Sequence, residues 1–325
     1  MYLRNERRKK AFLSIWRSLL NESALPSFGH AQLPVAWRLP AIAKRDITFF
    51  LSYWNHLQNS VRGETRGQLN ILARSTGMDH AIRRMLREGS NAEKLLAIVS
   101  LGYLGEKSDA VALKELLTSN QPIACFHAAR ALLRIDPNTL GELMPIIAQR
   151  NDLPTASIAN ILKEADPDMV SPILSSMLRH AFLEEAAPQY MIRLIEITVA
   201  AHPSFVHLSL RMIMDKTEDT EVLAACLKVM RSPDDLAKIR QLISHPNWRV
   251  RVHAVSALGD VGEEKDLELL THLLSDPQWW VRYRAAQAIN HLPFVTAGDM
   301  EEIKKHLSDG FAIDMLSQVI SERMA

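Results

Sequence analysis

The sequence predicts an all-α fold, an elongated solenoid of paired helices behind a helical N-terminal cap. Three observations support it: a repeat of 31 residues, helical spacing of apolar residues within each repeat, and no strand-like alternation of any length. The chain has 325 residues, of which 47% are apolar and 23% are charged, as is usual for folded soluble proteins. We therefore predict a right-handed α-α superhelix of about seven helical hairpins instead of two compact domains.

The repeat is clearest near the C-terminus, where residues 245–258 and 276–289 align at an offset of 31. The two segments are HPNWRVRVHAVSAL and DPQWWVRYRAAQAI, and they share Pro, Trp, Val, Arg and two alanines. The same spacing of residues recurs towards the N-terminus. Two degenerate repeats, around residues 191–197 and 223–230, fill the gap between the clear ones. The anchoring alanines are Ala97, Ala128, Ala159, Ala254 and Ala285.

Each unit is predicted to form two helices. The first carries small residues three apart, such as Ala254 and Ala257, and the second carries leucines at helical spacing. Turns containing proline separate the units because proline cannot continue a helix. Gly259 and Gly262 are predicted to end their helix as capping glycines. A hairpin of this kind has two apolar faces and needs a neighbour on both sides.

The pattern Asp-Pro-x-x-x-Val-Arg-x-x-Ala-x-x-Ala-Ile/Leu resembles the HEAT repeat, in the short form of bacterial HEAT-like proteins and of bilin lyases (the PBS-lyase type). The resemblance covers about residues 80–325 and is strong over 91–135 and 245–292. No set of residues here identifies a bilin pocket.

The resemblance also implies a ladder of charged pairs. In this family an aspartate and an arginine six positions apart connect successive units. Asp276 and Arg282 match both halves of that pattern, whereas His245 and Arg251 match only the arginine half.

The net charge of +1 hides two unequal parts. Residues 1–90 contain 15 basic and 6 acidic residues, a net charge of +9, and residues 91–325 contain 23 basic and 31 acidic residues, a net charge of −8. The sequence therefore combines a basic N-terminal region with an acidic repeat array. We divide it into a basic amphipathic helix (1–25), a Pro-rich connector (26–44), a helical cap (45–90) and the solenoid (91–325).

The basic N-terminal helix is predicted to contact an anionic membrane surface or an acidic partner. The alternative is a terminal helix that packs on the array and leaves its cations in solvent. The helix also resembles the cytoplasmic stretch that follows a transmembrane anchor. Residues 54–66 resemble the entry module ahead of the repeats in membrane-tethered bacterial HEAT proteins. The predicted contact residues are Arg4, Arg7, Arg8, Lys9, Lys10, Trp16 and Arg17.

The predicted location is the cytoplasm, with a peripheral or tethered position at the inner face of the membrane. Cys125 and Cys226 are the only cysteines, and neither lies in a C-x-x-C motif, which suits a reducing compartment. No apolar run reaches the roughly 18–20 residues that a membrane-spanning helix needs.

No motif predicts catalysis, a cofactor or a metal ion. None of the 12 histidines has H-x-x-x-H or H-E-x-x-H spacing, and the chain has neither G-x-S-x-G nor a glycine-rich phosphate loop. The two cysteines lie among apolar neighbours and are predicted to be buried thiols. We therefore expect a protein that is not an enzyme.

A cluster of tryptophan and arginine marks the starts of the last two first helices. These residue types are enriched in binding hot spots, and the adjacent Trp279 and Trp280 point about 100° apart on a helix, so both cannot easily face the core. The alternative is that the tryptophans staple the turns between repeats. The predicted partner-binding residues are Trp248, Arg249, Trp279, Trp280, Arg282 and Arg284.

The predicted function is a scaffold or adaptor that binds protein partners through its repeat surface. The alternative is a DNA-binding or DNA-glycosylase-like HEAT protein that uses the Trp/Arg cluster on a concave face. The net charge of −8 over residues 91–325 argues against that alternative, because phosphate contacts dominate nucleic-acid affinity.

Overall fold

The computed structural model describes residues 2–23 and 39–324. Within these ranges all regular structure is helical, with nineteen α-helices and short 3-10 turns. The predicted all-α class is therefore confirmed. The helices form two compact units, residues 1–153 and 154–325. The boundaries predicted at residues 25, 44 and 90 stay predictions, and residues 26–38 of the predicted connector lie outside the described residues.

The N-terminal unit contains eight of the described helices. They are α1 (Tyr2–Ser23), α2 (Ile47–Ser60), α3 (Glu64–Ser75), α4 (Met78–Glu88), α5 (Asn91–Leu104), α6 (Ala110–Glu115), α7 (Pro122–Ile135) and α8 (Leu140–Ala148).

The C-terminal unit contains the other eleven described helices. They are α9 (Thr155–Leu162), α10 (Pro167–Leu183), α11 (Pro188–Ile197), α12 (Pro203–Lys216), α13 (Thr220–Val229), α14 (Leu236–Leu242), α15 (Trp248–Val261), α16 (Asp266–Leu273), α17 (Trp279–His291), α18 (Ala297–His306) and α19 (Gly310–Met324).

Along the chain, first and second helices alternate as the 31-residue repeat predicts. In the N-terminal unit α5 is followed by α6 and α7 by α8, and in the C-terminal unit five such pairs run from α9–α10 to α17–α18. The first helices pack on one another in succession, α5 on α7 in one unit and α11, α13, α15, α17 and α19 in the other. Each unit thus buries its small-residue faces between consecutive repeats, which is how a solenoid builds a continuous core.

The N-terminal helices bury the predicted apolar stripes. Phe50 and Trp54 of α2 are fully buried, and the Trp54 indole Nε1 donates a hydrogen bond to the Leu69 carbonyl of α3 at 2.9 Å. The Trp16 ring of α1 meets Phe50 edge-on, with ring centroids 5.1 Å apart. α1 is thereby part of the same apolar core as α2 and α3.

Glycines allow two pairs of first helices to approach closely. A Cβ on Gly102 of α5 would lie 2.8 Å from the Ala131 Cα of α7, and one on Gly259 of α15 would lie 2.8 Å from the Ala288 Cα of α17. Gly259 was expected to cap its helix. It lies inside α15 and is fully packed, so close approach of two backbones explains this glycine and Gly262 alone ends the helix.

Buried aspartates join consecutive repeats through arginine. The Arg83 guanidinium of α4 contacts Asp109 at 2.8 and 3.1 Å, and the Arg240 guanidinium of α14 contacts Asp266 at 2.6 and 2.8 Å. Hydrogen bonds raise the pKa of Arg240, chiefly the one to Asp266. Such pairs carry bidentate, charge-assisted bonds whose geometry fixes the distance between repeats.

The predicted ladder is present, but it connects different residues. Arg251 of α15 donates two hydrogen bonds of 2.8 Å to Asp276, which belongs to the next repeat, and a third to the His245 carbonyl at 2.9 Å. Arg282, the arginine that matched the family pattern together with Asp276, makes no ion pair among the described residues. The ion pair joins one repeat to the next, and residue spacing within a single repeat does not reveal it.

Candidate functional site

The turns before α15 and α17 hold the tryptophans at the first positions of these helices. Before α15, the Asn247 side chain accepts the Arg249 N–H at 2.9 Å. Before α17, Asp276 Oδ1 accepts the Gln278 N–H at 2.8 Å, while the same carboxylate binds Arg251. The contact that joins two repeats therefore also fixes the turn that precedes Trp279.

Trp279 and Trp280 are both exposed at the start of α17. Their exposed fractions are 40% and 52%, and their ring centroids lie 4.7 Å apart in an edge-to-face arrangement. The Trp279 ring also stacks on Tyr283, at 5.3 Å and an interplanar angle of 14°. Edge-to-face and offset-stacked aromatic pairs are mutually stabilising, so these exposed rings are held in place before any partner arrives.

Phe311 continues this exposed surface onto α19. Its exposed fraction is 66%, and the Arg282 guanidinium lies 5.0 Å from the centre of its ring. Sequence reasoning missed Phe311, although it lies 31 residues after Trp280 and so occupies the same position of the next first helix. We call Trp279, Trp280, Tyr283 and Phe311 the aromatic surface.

The predicted arginines differ in what they contact. Arg284, one turn after Trp280 on α17, is exposed and donates to the Gln287 side-chain carbonyl at 2.6 Å. Arg249 forms an ion pair with Glu221 at 2.9 Å, so its charge is locally compensated. Arg282 is half-buried, and its Nε has no hydrogen-bond partner among the described residues.

Trp248, the remaining predicted residue, is half-buried beside Arg249, whose guanidinium lies 5.7 Å from the ring centre. Of the six residues predicted as a partner site, the structure brings the exposed Trp279 and Trp280 together at the start of α17, and Arg284 is exposed one turn after Trp280. The other three are more enclosed or engaged in contacts within the fold.

Hydrogen bonds also fix the chain at the start of α19. The Phe311 N–H donates to Asp309 Oδ1 at 2.9 Å. A hydrogen bond from Ser275 and this backbone N–H hold the pKa of the Asp309 carboxyl below its ordinary value. At the other edge, Tyr283 Oη lies 3.2 Å from Glu322 of α19, and burial together with this hydrogen bond raises the pKa of the phenol. The Tyr283–Glu322 contact thus connects α17 with α19, and the hydrogen bonds of Asp309 fix the turn that precedes Phe311.

One of the predicted contact residues of α1, Trp16, is wrong. Trp16 is 1% exposed and packs on Phe50, so it belongs to the core and cannot contact a membrane or partner. A helical wheel shows that α1 has an apolar edge, but it does not show whether that edge faces lipid or the rest of the fold.

The cations of α1 lie mainly outside that core. Arg7, Lys10 and Arg17 are exposed and Lys9 is half-exposed, whereas Arg8 forms an ion pair with Asp46 at 2.9 Å. The side chain of Arg4 lies outside the described residues. None of the described helices combines the length and apolar content needed to cross a membrane.

The two cysteines are buried, as predicted, and burial raises the pKa of each thiol. The Cys125 thiol donates to the Leu117 carbonyl at 3.3 Å. A raised pKa keeps a thiol protonated and unreactive near neutral pH. In the part of the chain that the structure describes, no three or more His, Cys, Asp or Glu side chains are grouped so that they could hold a metal ion.

Comparison with known proteins identifies the repeat. Residues 209–290 match the family model described as HEAT repeats. The match includes α13 and α14, whose sequence is degenerate, as well as the regular repeats that follow. No curated protein matches the chain significantly. Residues 209–290 are therefore similar to HEAT repeats, and the predicted resemblance is confirmed there.

Proposed function

We propose that this protein is a non-enzymatic scaffold that binds a protein partner at the aromatic surface. The observation that carries the proposal is the exposed, edge-to-face pair of Trp279 and Trp280, with the exposed Arg284 one turn after Trp280 on α17. Tryptophan and arginine dominate hot spots because they offer a large apolar area together with hydrogen-bond donors. Rings that already stack on one another lose little conformational entropy when a partner binds.

The surface suits a partner that presents an apolar side chain next to an acceptor. The two indoles and Phe311 supply apolar area, and Arg284 supplies a guanidinium that has no carboxylate partner among the described residues. A carboxylate or backbone carbonyl of the partner would complete its hydrogen bonds.

The test is quantitative crosslinking and pull-down with the full chain, comparing the native sequence with Trp280→Ala/Arg284→Ala. We expect recovery of the specific partner to fall by about tenfold or more, the loss associated with a hot spot. Phe205→Ala is the matched control, because Phe205 is a 44% exposed aromatic residue on α12, outside the aromatic surface. Unchanged recovery with the double variant, or an equal loss with the control, contradicts the proposal.

The DNA-binding alternative receives less support from the surface. Arg249 of the cluster and the nearby Arg251 are paired with Glu221 and Asp276, which reduces the positive charge available to phosphates. A duplex gel shift at rising salt concentration tests it directly. Tight binding that weakens steeply with salt would favour DNA over a protein partner.

For α1 we propose an electrostatic contact with an anionic membrane surface. The supporting observation is that Arg7, Lys10 and Arg17 are exposed while the apolar Trp16 and Leu20 are buried. Arg7→Glu/Lys10→Glu should reduce co-sedimentation with vesicles containing phosphatidylserine, since each surface cation contributes about 1 kcal/mol to such binding. Arg84→Glu/Arg87→Glu, which changes two exposed arginines of α4, is the control. Equal sedimentation of all variants contradicts the proposal.

A further inference from the structure

A groove separate from the aromatic surface runs between α16 and α18, the second helices of the last two repeats. Its volume is about 910 Å³, and it adjoins a further cavity of about 560 Å³ at the turn between α17 and α18. Leu267, Ile303 and Leu307 line both cavities. The two cavities therefore form one continuous depression along α16 and α18.

The floor of this groove is apolar and incompletely buried. Leu267, Ile303 and Leu307 are half-buried, and Leu269 at the edge is 38% exposed. Incomplete burial of several aliphatic side chains in a concave site leaves apolar area that a partner could remove from water. Contiguous apolar surface of this kind marks interaction sites more often than isolated exposed residues do.

The rim of the groove is acidic. Glu264, in the turn before α16, and Glu268, on α16, are exposed and form no ion pair among the described residues. Lys265 is the one lysine or arginine in the lining, and its Nζ lies 2.6 Å from Glu263. The other acidic residues of the lining are Asp299, Glu302 and Asp309, of which Glu302 forms an ion pair with Lys305 at 2.8 Å.

We propose that the groove receives an amphipathic helix of a partner protein, with leucine-like side chains on its apolar face and lysine or arginine on its flanks. An apolar floor between two helices accepts side chains spaced at i, i+3, i+4 and i+7, the pattern of helix-in-groove recognition. The acidic rim selects cationic flanks and speeds their encounter. The walls, of eight and ten residues, are about 12–15 Å long, enough for two to three turns of a bound helix.

This inference deepens the proposed scaffold function by naming a kind of partner, but it rests on residues outside the aromatic surface. Trp280→Ala/Arg284→Ala should therefore leave binding at the groove unchanged. The two proposals can fail independently, because each has variants that the other predicts to be silent.

The experiment uses a fluorescent synthetic helix of about 18 residues that carries leucine on one face and lysine on its flanks. A counterpart has glutamate in place of every lysine. We expect the full chain to bind the lysine peptide about tenfold or more tightly than the glutamate peptide, as measured by fluorescence anisotropy at physiological salt. Glu264→Lys/Glu268→Lys should reverse that preference. Leu269→Ala, which changes no charge, should weaken both peptides.

Two controls separate groove binding from general attraction to an acidic protein. Glu184→Lys/Glu218→Lys makes the same change in net charge at exposed sites outside the groove and should leave the preference intact. Photocrosslinks from the apolar face of the peptide should map to α16 and α18. An equal loss with the control variant, an unchanged preference after the reversal, or crosslinks confined to other helices would each overturn the proposal.

Discussion

The repeat formed by α13 and α14 differs from the following repeat, α15 and α16, in how its buried aspartate is satisfied. Asp266 is fully buried and accepts hydrogen bonds from Arg240 and from the Glu263 N–H. Asp235, 31 residues earlier and 1% exposed, has no hydrogen-bond partner for either carboxylate oxygen among the described residues. One position of the repeat therefore holds a carboxylate bound by arginine in one case and a carboxyl without a hydrogen-bond partner in the other.

The difference follows from a single missing arginine. The residue 31 positions before Arg240 is Ser209, whose hydroxyl lies 3.0 Å from that of Ser175. Burial raises the pKa of Asp235, whereas hydrogen bonds from Arg240 and a backbone N–H outweigh burial at Asp266 and lower its pKa. A buried aspartate can therefore occupy this position of the repeat without an arginine bound to it.

The largest effect should come from breaking the satisfied pair. Arg240→Ala leaves Asp266 buried without its cation, and removing one partner of a buried pair costs about 3–5 kcal/mol of unfolding free energy. Urea denaturation of the full chain measures this loss. Lys238→Ala is the control, because its partner Asp215 is exposed, and it should cost less than about 1 kcal/mol. Similar losses for both variants would contradict the distinction.

Gly259→Ala should have the next largest effect, because the new methyl group would lie 2.8 Å from the Ala288 Cα and force α15 away from α17. Overpacking of this kind costs about 1–3 kcal/mol. Gly67→Ala in α3 is the control, since no heavy atom lies within 4 Å of its Cβ position and alanine favours a helix. Thermal or urea unfolding should rank the control at or above the native chain. The opposite ranking would remove close approach as the reason for the glycine.

Asp235→Asn should stabilise the chain by about 1 kcal/mol at pH 7, because it removes the cost of ionising an unsatisfied buried carboxyl. The raised pKa of Asp235 means that the folded state favours its protonated form. The stability that the protonated Asp235 carboxyl contributes is therefore present below its pKa in the unfolded chain, near 4. It is lost as pH rises through the pKa of this carboxyl in the folded state. The advantage of the variant should grow with rising pH.

Asp266 should show the opposite dependence on pH. Its pKa is lowered, so its stabilising contribution is present above the unfolded value and is lost as pH falls through the folded one. Denaturation of Asp235→Asn and Asp266→Asn between pH 3 and 8, each compared with the native chain, measures both trends. Parallel pH profiles for the two variants would show that the two aspartates do not differ.

Trp280→Ala should have the smallest effect on stability, within about 0.5 kcal/mol, because the side chain is half-exposed. Its effect should appear in partner recovery instead. A large loss of unfolding free energy would indicate that the tryptophan staples the turn between repeats, as the alternative interpretation of the sequence holds.

Much of the fold could be predicted from the 31-residue register, because the register fixes helix pairing and the small-residue face. The register also predicts the position of Phe311. The turn before α19, however, lacks the Pro-x-Trp pattern that marks Trp279. Contacts between neighbouring repeats and helices were harder to predict. Pairing of Arg251 with Asp276 depends on how one hairpin lies on the next, and the burial of Trp16 depends on α2.

The carboxylate of Asp276 couples the contact between two repeats to the position of the exposed indoles. One oxygen receives both the Arg251 guanidinium of the preceding repeat and the Gln278 N–H that fixes the start of α17. A displacement of the exposed indoles is therefore transmitted to α15 through the Asp276–Arg251 contact as well as through the backbone. If a partner binds the exposed indoles and tightens this contact, amide exchange should slow at the start of α15, where Arg251 lies.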